Sequence, residues 1–265
     1  MISYGYNFED VYIQRLFPGK TDGFYIDVGA AHPTEGSVTR HFYDLGWRGI
    51  NIEPQDNYFK LLESQRPRDL NLQIAVGAKE EERTFFDVGG LGGSTLDASN
   101  ADRGSNLGFE VSSRLVHLTT LEKVCEAHVH GPIDFIKIDV EGWERDVIQG
   151  ADWKRYRPML VVSEATVPFS PELCHQEWEP LLLQADYVFA FFDGLNRYYL
   201  RKEDAHLAQI LAVPVNVFDH FVSHGQFQAE QALQRSRLSY FFKKTEWYAS
   251  LRRFERRVRH SLRKD

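Results

Sequence analysis

FYIDVGAAHPTEG, residues 24–36, opens as a short apolar run and then breaks into small residues that carry a carboxylate and a histidine. A run this short and this apolar reads as a strand buried on both faces, the kind a parallel sheet contains. Residues 49–52 (GINI), 135–140 (FIKIDV) and 159–163 (MLVVS) read alike, and each ends in polar or small residues. Helical segments fill the gaps, over 37–45, 58–65, 121–128, 144–150 and 176–185. This alternation predicts a doubly wound α/β sheet with right-handed crossovers. Residues 72–76 (LQIAV) add a strand, and 84–117, rich in Gly, Ser and Asn, predict short antiparallel strands and a loop at GGLGGS (89–94). YVFAFF (187–192), DGLN and RYYL (197–200) predict a hairpin at one sheet edge.

The 265 residues are 43% hydrophobic and 14% aromatic, enough for a packed core. Two cysteines, Cys125 and Cys174, make neither a disulfide framework nor a zinc motif and read as reduced packing residues. No apolar run is long enough to span a bilayer, and the first residues lack a signal-peptide pattern, so the expected address is cytoplasmic. The net charge of −7 is unevenly spread. Residues 243–265 hold nine Lys/Arg against three acids, a net +6, which leaves −13 on the rest. An acidic body argues against nucleic acid as partner. Trp247, Leu251, Phe254, Val258 and Leu262 recur every three to four residues, an apolar stripe on a basic helix. The expected division is a catalytic domain over 1–215 and a connector with this helix over 216–265. The helix would dock on the domain itself, on a fused or partner glycosyltransferase, or on an anionic membrane surface.

In an open parallel sheet, ligands bind beyond the carboxyl ends of the strands. Those ends deliver Asp27 with Gly29, Ala30, Ala31 and His32, then Glu53 and Pro54, then Asp139 and Glu141, then Glu164. Asp27 beside a small-residue loop, with Glu53 about 26 residues on, suits a nucleoside, because the loop admits a close backbone and Glu53 accepts both ribose hydroxyls. The loop lacks GxGxxG, so no pyrophosphate cradle is predicted and Asp27 would repel phosphate. A cationic ligand with an amino-acid part and an adenosine fits better, which describes S-adenosylmethionine.

Alternation along FIKIDVEG puts Phe135, Lys137, Asp139 and Glu141 on one face. Lys137 needs a carboxylate partner, with Asp139 the nearest in sequence, and is read as an ion-pair organiser or a catalyst. Two mechanisms for transfer to an alcohol are open. In one, Asp139, Glu141 or His32 is the general base; in the other, Asp139 and Glu164, joined by His32 or Glu141, hold Mg²⁺ or a similar hard ion. Trp143, Arg145, His117 and Arg114 are candidate acceptor contacts.

FYIDVGAAHP, INIEP, LQIAVG, LTTLEKV and DFIKIDVEGWERDVIQG, spread over about residues 3 to 200, resemble the FkbM-type S-adenosylmethionine-dependent methyltransferases, which O-methylate sugar or polyketide hydroxyls. IDFIKIDVEGWE is the most specific stretch, and the leader SYGYNFEDV looks like that of bacterial members linked to surface-polysaccharide genes. The resemblance implies a Rossmann-like, mostly parallel seven-stranded sheet with a C-terminal antiparallel hairpin. It also implies that Asp27, Gly29 and Ala30 meet the methionine end, Glu53 and Pro54 the ribose, and Ala75 and Val76 the adenine. Many members carry Asn after the GA pair, where this chain has Ala31 and then His32. The expected activity is O-methylation of a sugar hydroxyl on a bacterial surface glycan or lipid-linked saccharide, in the cytoplasm or at the inner membrane face. A catalytically silent nucleoside-binding scaffold and a metal-dependent hydrolase are the rival expectations.

Overall fold

The computed structural model describes residues 1–89 and 93–236; the middle of GGLGGS and the basic segment 243–265, with its predicted amphipathic helix, lie outside the described residues. Two compact units divide the chain, Ser3–His220 and a second made of Met1–Ile2 with Phe221–Asp265. In the second, the Val222 amide donates to the Met1 carbonyl at 3.0 Å, and residues 224–236 are helical. Among the described residues, no helix is long and apolar enough to cross a membrane.

The larger unit runs α1 (Glu9–Gln14), β1 (Phe24–Val28), α2 (Arg40–Asp44), β2 (Arg48–Ile52), α3 (Asp56–Gln65), β3 (Leu70–Leu72), β4 (Ala75–Val76), β5 (Glu81–Val88), α4 (Ala98–Asn106), β6 (Val111–Thr119), α5 (Leu121–His128), β7 (Phe135–Ile138), α6 (Glu144–Gln149), β8 (Leu160–Glu164), α7 (Glu179–Gln184), β9 (Tyr187–Phe192), β10 (Asn196–Arg201) and α8 (Ala208–Leu211). Seven strands form one mixed sheet in the order β9-β10-β8-β7-β1-β2-β3. The five from β3 to β8 are parallel, and β10 and β9 continue the sheet antiparallel. The order reverses at β1, whose Asp27 faces Asn51 on one side and Lys137 on the other. A second sheet, β4-β6-β5, is a separate three-stranded ladder.

Continuous apolar strands let both faces of the main sheet be covered. Ile26, Val28, Ile50, Ile136, Ile138 and Val161 pack with Leu121, Val147 and Leu182 of α5, α6 and α7. Tyr25, Phe135, Leu160 and Val162 pack on the other face with Ile13, Phe42 and Leu211 of α1, α2 and α8. Both faces of β7 are therefore apolar at its start, and only its carboxyl end is charged.

Three elements depart from the periodicity. FIKIDV leaves the sheet after Ile138, because the Asp139 amide makes the last bond to β1, donating to Val28 O at 3.0 Å, and Glu141 then turns with φ 55°. LQIAV is divided between sheets: Leu72 pairs with Ile52, and after two residues Ala75 pairs with Leu118. The Gly/Ser/Asn-rich stretch holds two strands of eight and nine residues rather than short ones, with α4 between them.

Candidate active site

Beyond β1, β2 and β7 lies a cavity of about 50 Å³, and its far wall comes from the second sheet. Val28, Gly29, Ala31, Glu53 and Pro54 line it from the loops after β1 and β2. Asp139, Val140, Glu141 and Trp143 line it from the β7 turn, and Tyr58, Ile74, Ala75, Val76, Phe85 and Ser94–Leu96 close it.

The loop after β1 is built by backbone bonds. Gly29 and Ala30 amides donate to Ile52 O at 3.0 and 3.2 Å, and the Ala31 amide donates to Glu53 Oε2 at 2.8 Å. Gly29 has φ 75°, and a Cβ there would lie 1.8 Å from Asp139 O, so only glycine lets the β1 and β7 loops touch. Glu53 is buried, and its other oxygen accepts from the Gln55 amide at 2.7 Å. Burial pushes its carboxyl up to about 7, against the pull of those two amides and of Lys137. Each Glu53 oxygen still has a second lone pair for a ligand hydroxyl.

The β7 end is a built turn. Glu144, buried at the start of α6, accepts the Val140 and Gly142 amides on one oxygen at 3.0 and 3.2 Å. Thr95 Oγ1 and Asn100 Nδ2 donate to Glu141 O at 2.7 and 3.1 Å. Gly142 (φ 93°) has no room for a side chain, since a Cβ would fall 2.1 Å from Asn100 Nδ2. These bonds hold Glu141 in its left-handed conformation, with its carboxylate among those of Asp139 and Glu164. Burial, with Asp139 and Glu144 nearby, pushes the Glu141 carboxyl up to about 8. Burial and the neighbouring Asp139, Glu141 and Glu144 push Glu164 well above the usual carboxylate range.

Lys137 is the cation behind this edge. Its Nζ donates to Gly29 O at 2.8 Å and lies 3.3 Å from Asp139 and 3.5 Å from Asp27. Burial alone would lower its pKa, but Asp139 and Asp27 outweigh that and raise it. Lys137 is thus a charged tie between the β1 and β7 loops rather than a free base.

The sequence profile of the "Methyltransferase FkbM domain" family matches residues 27–189. The chain belongs to the FkbM methyltransferase family. No curated protein matches it. Among solved structures it is similar to methyltransferase FkbM from Methylobacillus flagellatus, at 15% identity and TM-score 0.43, covering 71% of this chain and 47% of that one. The chain thus spans about half the length of that relative. It is also similar to the TehB-like SAM-dependent methyltransferase of Corynebacterium glutamicum, at 6% identity and TM-score 0.39 over 73% and 88% of the two chains. The fibrillarin pre-rRNA processing protein of Methanococcus jannaschii matches at 13% identity and TM-score 0.38 over 70% and 69%.

Within this family member, Gly29, Glu53, Pro54, Ala75, Val76, Asp139, Glu141 and Trp143 come together on the cavity wall. Asp27 does not reach it: buried below the loop, it accepts from Thr39 Oγ1 at 2.8 Å and pairs with Lys137. Ala30 is buried behind the wall. His32 turns into its own loop, where Nδ1 accepts the Thr34 and Glu35 amides at 3.2 and 2.9 Å, and its ring meets Tyr58 edge-on. Pro33 and Gly36 flank the turn that this histidine closes. Arg114 sits at the rim, donating to Pro54 O and pairing with Asp56 at 3.6 Å. His117 is exposed on β6 and Arg145 pairs with Glu177 at 3.9 Å, both off the wall. Sequence reading missed Tyr58, Phe85, Thr95 and Asn100. The last two flank an Asp97 N-cap, whose side chain accepts the Ser99 amide at 2.7 Å, and the run TLDAS was the available signal for α4.

Proposed function

We propose that this protein transfers a methyl group from S-adenosylmethionine to a hydroxyl of a sugar, within a bacterial surface glycan or a lipid-linked saccharide. The observation that carries this reading is the division of the cavity. Glu53, on one side of β1, offers two oriented carboxylate oxygens, and the acids of the β7 and β8 ends gather on the other side. The donor supplies an electrophilic methyl group when bound.

The residues fit that ligand on three counts. Glu53 has lone pairs for two ribose hydroxyls, held in place by the Ala31 and Gln55 amides. Trp143 Nε1 is a buried donor with no hydrogen-bond partner among the described residues, on a wall otherwise apolar at Ile74, Ala75 and Val76. Gly29 presents backbone alone beside Asp139, so a ligand can approach both loops. Asp139, held by Lys137 at 3.3 Å, and Glu141 are the groups placed to orient an acceptor hydroxyl and take its proton, a contribution typically worth about 10²- to 10⁴-fold. Asp27, Lys137 and His32 act as positioning residues for the loop. In this reading the basic segment 243–265 brings the enzyme to an anionic membrane surface or to a partner glycosyltransferase, where its glycan or lipid-linked acceptor is made.

Calorimetry with S-adenosylmethionine, followed by transfer of labelled methyl to a panel of sugar alcohols, tests this. Binding with no transfer to any hydroxyl acceptor would favour a silent scaffold. Hydrolysis that needs metal and no S-adenosylmethionine would replace the reading altogether.

A further inference from the structure

The acids at the β7 and β8 ends raise a question that proton transfer alone does not answer. Asp139, Glu141 and Glu164 each offer a carboxylate oxygen, and these oxygens lie within 4.8 Å of one another. A single base would need one of them. Three carboxylates in one place repel, and the ammonium beside them, Lys137, pairs with Asp139 but is shared with Gly29 O and Asp27.

Glu164 makes the case specific. It is only 8% exposed, and among the described residues no donor reaches its Oε2; Oε1 has only a long bond from Thr166 Oγ1, at 3.4 Å. A nine-tenths-buried carboxylate oxygen without a partner is costly unless something electropositive faces it. The neighbours it does face are two more carboxylates. Nitrogen and sulfur ligands are absent from this group, so the donor set is oxygen only and suits a hard divalent cation. Asp139 and Glu141 are also cavity-wall residues, so an ion there keeps coordination positions open toward the ligand space.

We propose that Asp139, Glu141 and Glu164 form a binding site for one hard divalent cation of the Mg²⁺, Mn²⁺ or Ca²⁺ class, at the acceptor side of the cavity. Resting on the methyltransferase reading, its role is to take the acceptor hydroxyl oxygen as a ligand, which orients that oxygen and lowers its pKa, so that its proton passes to the non-coordinating carboxylate oxygen of Asp139 or Glu141 as the methyl group leaves the donor sulfur for it. Glu164 is the buried anchor and the other two are the wall ligands. The turn that fixes Glu141 through Thr95, Asn100 and Glu144 then has a purpose beyond strand termination.

Titration of the full chain with Mn²⁺, followed by electron paramagnetic resonance in the absence of S-adenosylmethionine, tests the site. One saturable Mn²⁺ is expected, displaced by Mg²⁺ or Ca²⁺, with at least a tenfold weaker affinity in Glu164→Gln. Asp139→Asn, which alters a more exposed ligand, gives the same loss if Glu164→Gln does not fold. Absence of saturable binding at millimolar Mn²⁺, or wild-type affinity in both folded variants, would overturn the proposal. Calorimetry with S-adenosylmethionine in EDTA is run beside it. Mn²⁺ binding without nucleoside binding overturns the methyltransferase reading and leaves the cation site, and the converse result does the opposite.

Discussion

Substituting Gly29 by alanine separates two costs that the loop after β1 combines. The first is conformational: at φ 75° an L-residue with a Cβ is disfavoured by about 1–2 kcal/mol. The second is steric. The new Cβ falls 1.8 Å from Asp139 O and 3.0 Å from its carbonyl carbon, so the obstacle is backbone and no rotamer relieves it. Reaching even a tight contact requires the two loops to part by about 1.2 Å, an overpacking strain of about 1–3 kcal/mol. Parting them stretches the 2.8 Å bond from Lys137 to Gly29 O and moves Asp139 relative to its ammonium. Gly19 is the internal control, with φ 74° and nothing within 4 Å of its would-be Cβ. Gly19→Ala is predicted to lower the melting temperature by about 2–4 °C per kcal/mol of the first cost alone. Gly29→Ala carries both, about 2–5 kcal/mol in total, and weakens S-adenosylmethionine at least tenfold, about 1.4 kcal/mol. Differential scanning calorimetry and titration calorimetry read the two effects. If Gly29→Ala melts with Gly19→Ala and keeps its affinity, the close contact between the β1 and β7 loops is not what shapes the site.

Four further outcomes are expected. Glu53→Gln places an amide group against two backbone donors and is predicted to weaken S-adenosylmethionine at least tenfold in titration calorimetry, with wild-type affinity removing the ribose assignment. Because the Glu53 carboxyl sits near 7, S-adenosylmethionine affinity in the wild type is predicted to fall between pH 8 and pH 6 as that acceptor protonates; a flat profile would argue for another ribose contact. Asp139→Asn is predicted to cut methyl transfer at least about 100-fold while leaving nucleoside affinity within about threefold, because it removes a proton acceptor at the acceptor edge while Lys137 keeps its bond to Gly29 O and its pairing with Asp27. Burial pushes Glu9 up to about 7, so the folded state holds a proton that the unfolded chain has released above about 4.5. Stability is therefore lost as pH rises through that window, by at most roughly 3 kcal/mol, and Glu9→Gln flattens the melting profile between pH 5 and pH 8.

The parallel core was legible because its strands are apolar on both faces, a pattern that does not depend on tertiary context. FYIDV and the run at 159–163 found their places within a residue. What failed was anything decided by a partner. LQIAV has no internal signal for its break, since it serves the edge of one sheet with Leu72 and the start of another with Ala75. The stretch 84–117 reads as short antiparallel strands and a loop because its glycines and serines lower strand propensity. Yet Glu81–Val88 and Val111–Thr119 pair along their whole length, and Phe85, Val116 and Leu118 pack a small core of their own.

At the site, residue types were legible and orientations were not. Asp27 and Glu53 read as equivalent acids at adjacent strand ends. They separate because Asp27 still belongs to β1, paired with Lys137 in the ladder and capped by Thr39, whereas Glu53 follows β2 and is held by loop amides. The same distinction governs the β7 edge. Had the strand run on to Val140, alternation would have put Glu141 on the face of Lys137, where that ammonium could neutralise it. The chain instead leaves the sheet at Asp139, and the turn swings Glu141 toward Glu164, an acid from the next strand with, among the described residues, no donor on one oxygen. The bonds from Thr95, Asn100 and Glu144 hold that repulsive arrangement in place rather than relieving it. A fold that fixes three carboxylates together and, among the described residues, leaves one oxygen of their buried member without a donor has left their charge for a ligand or a proton to balance.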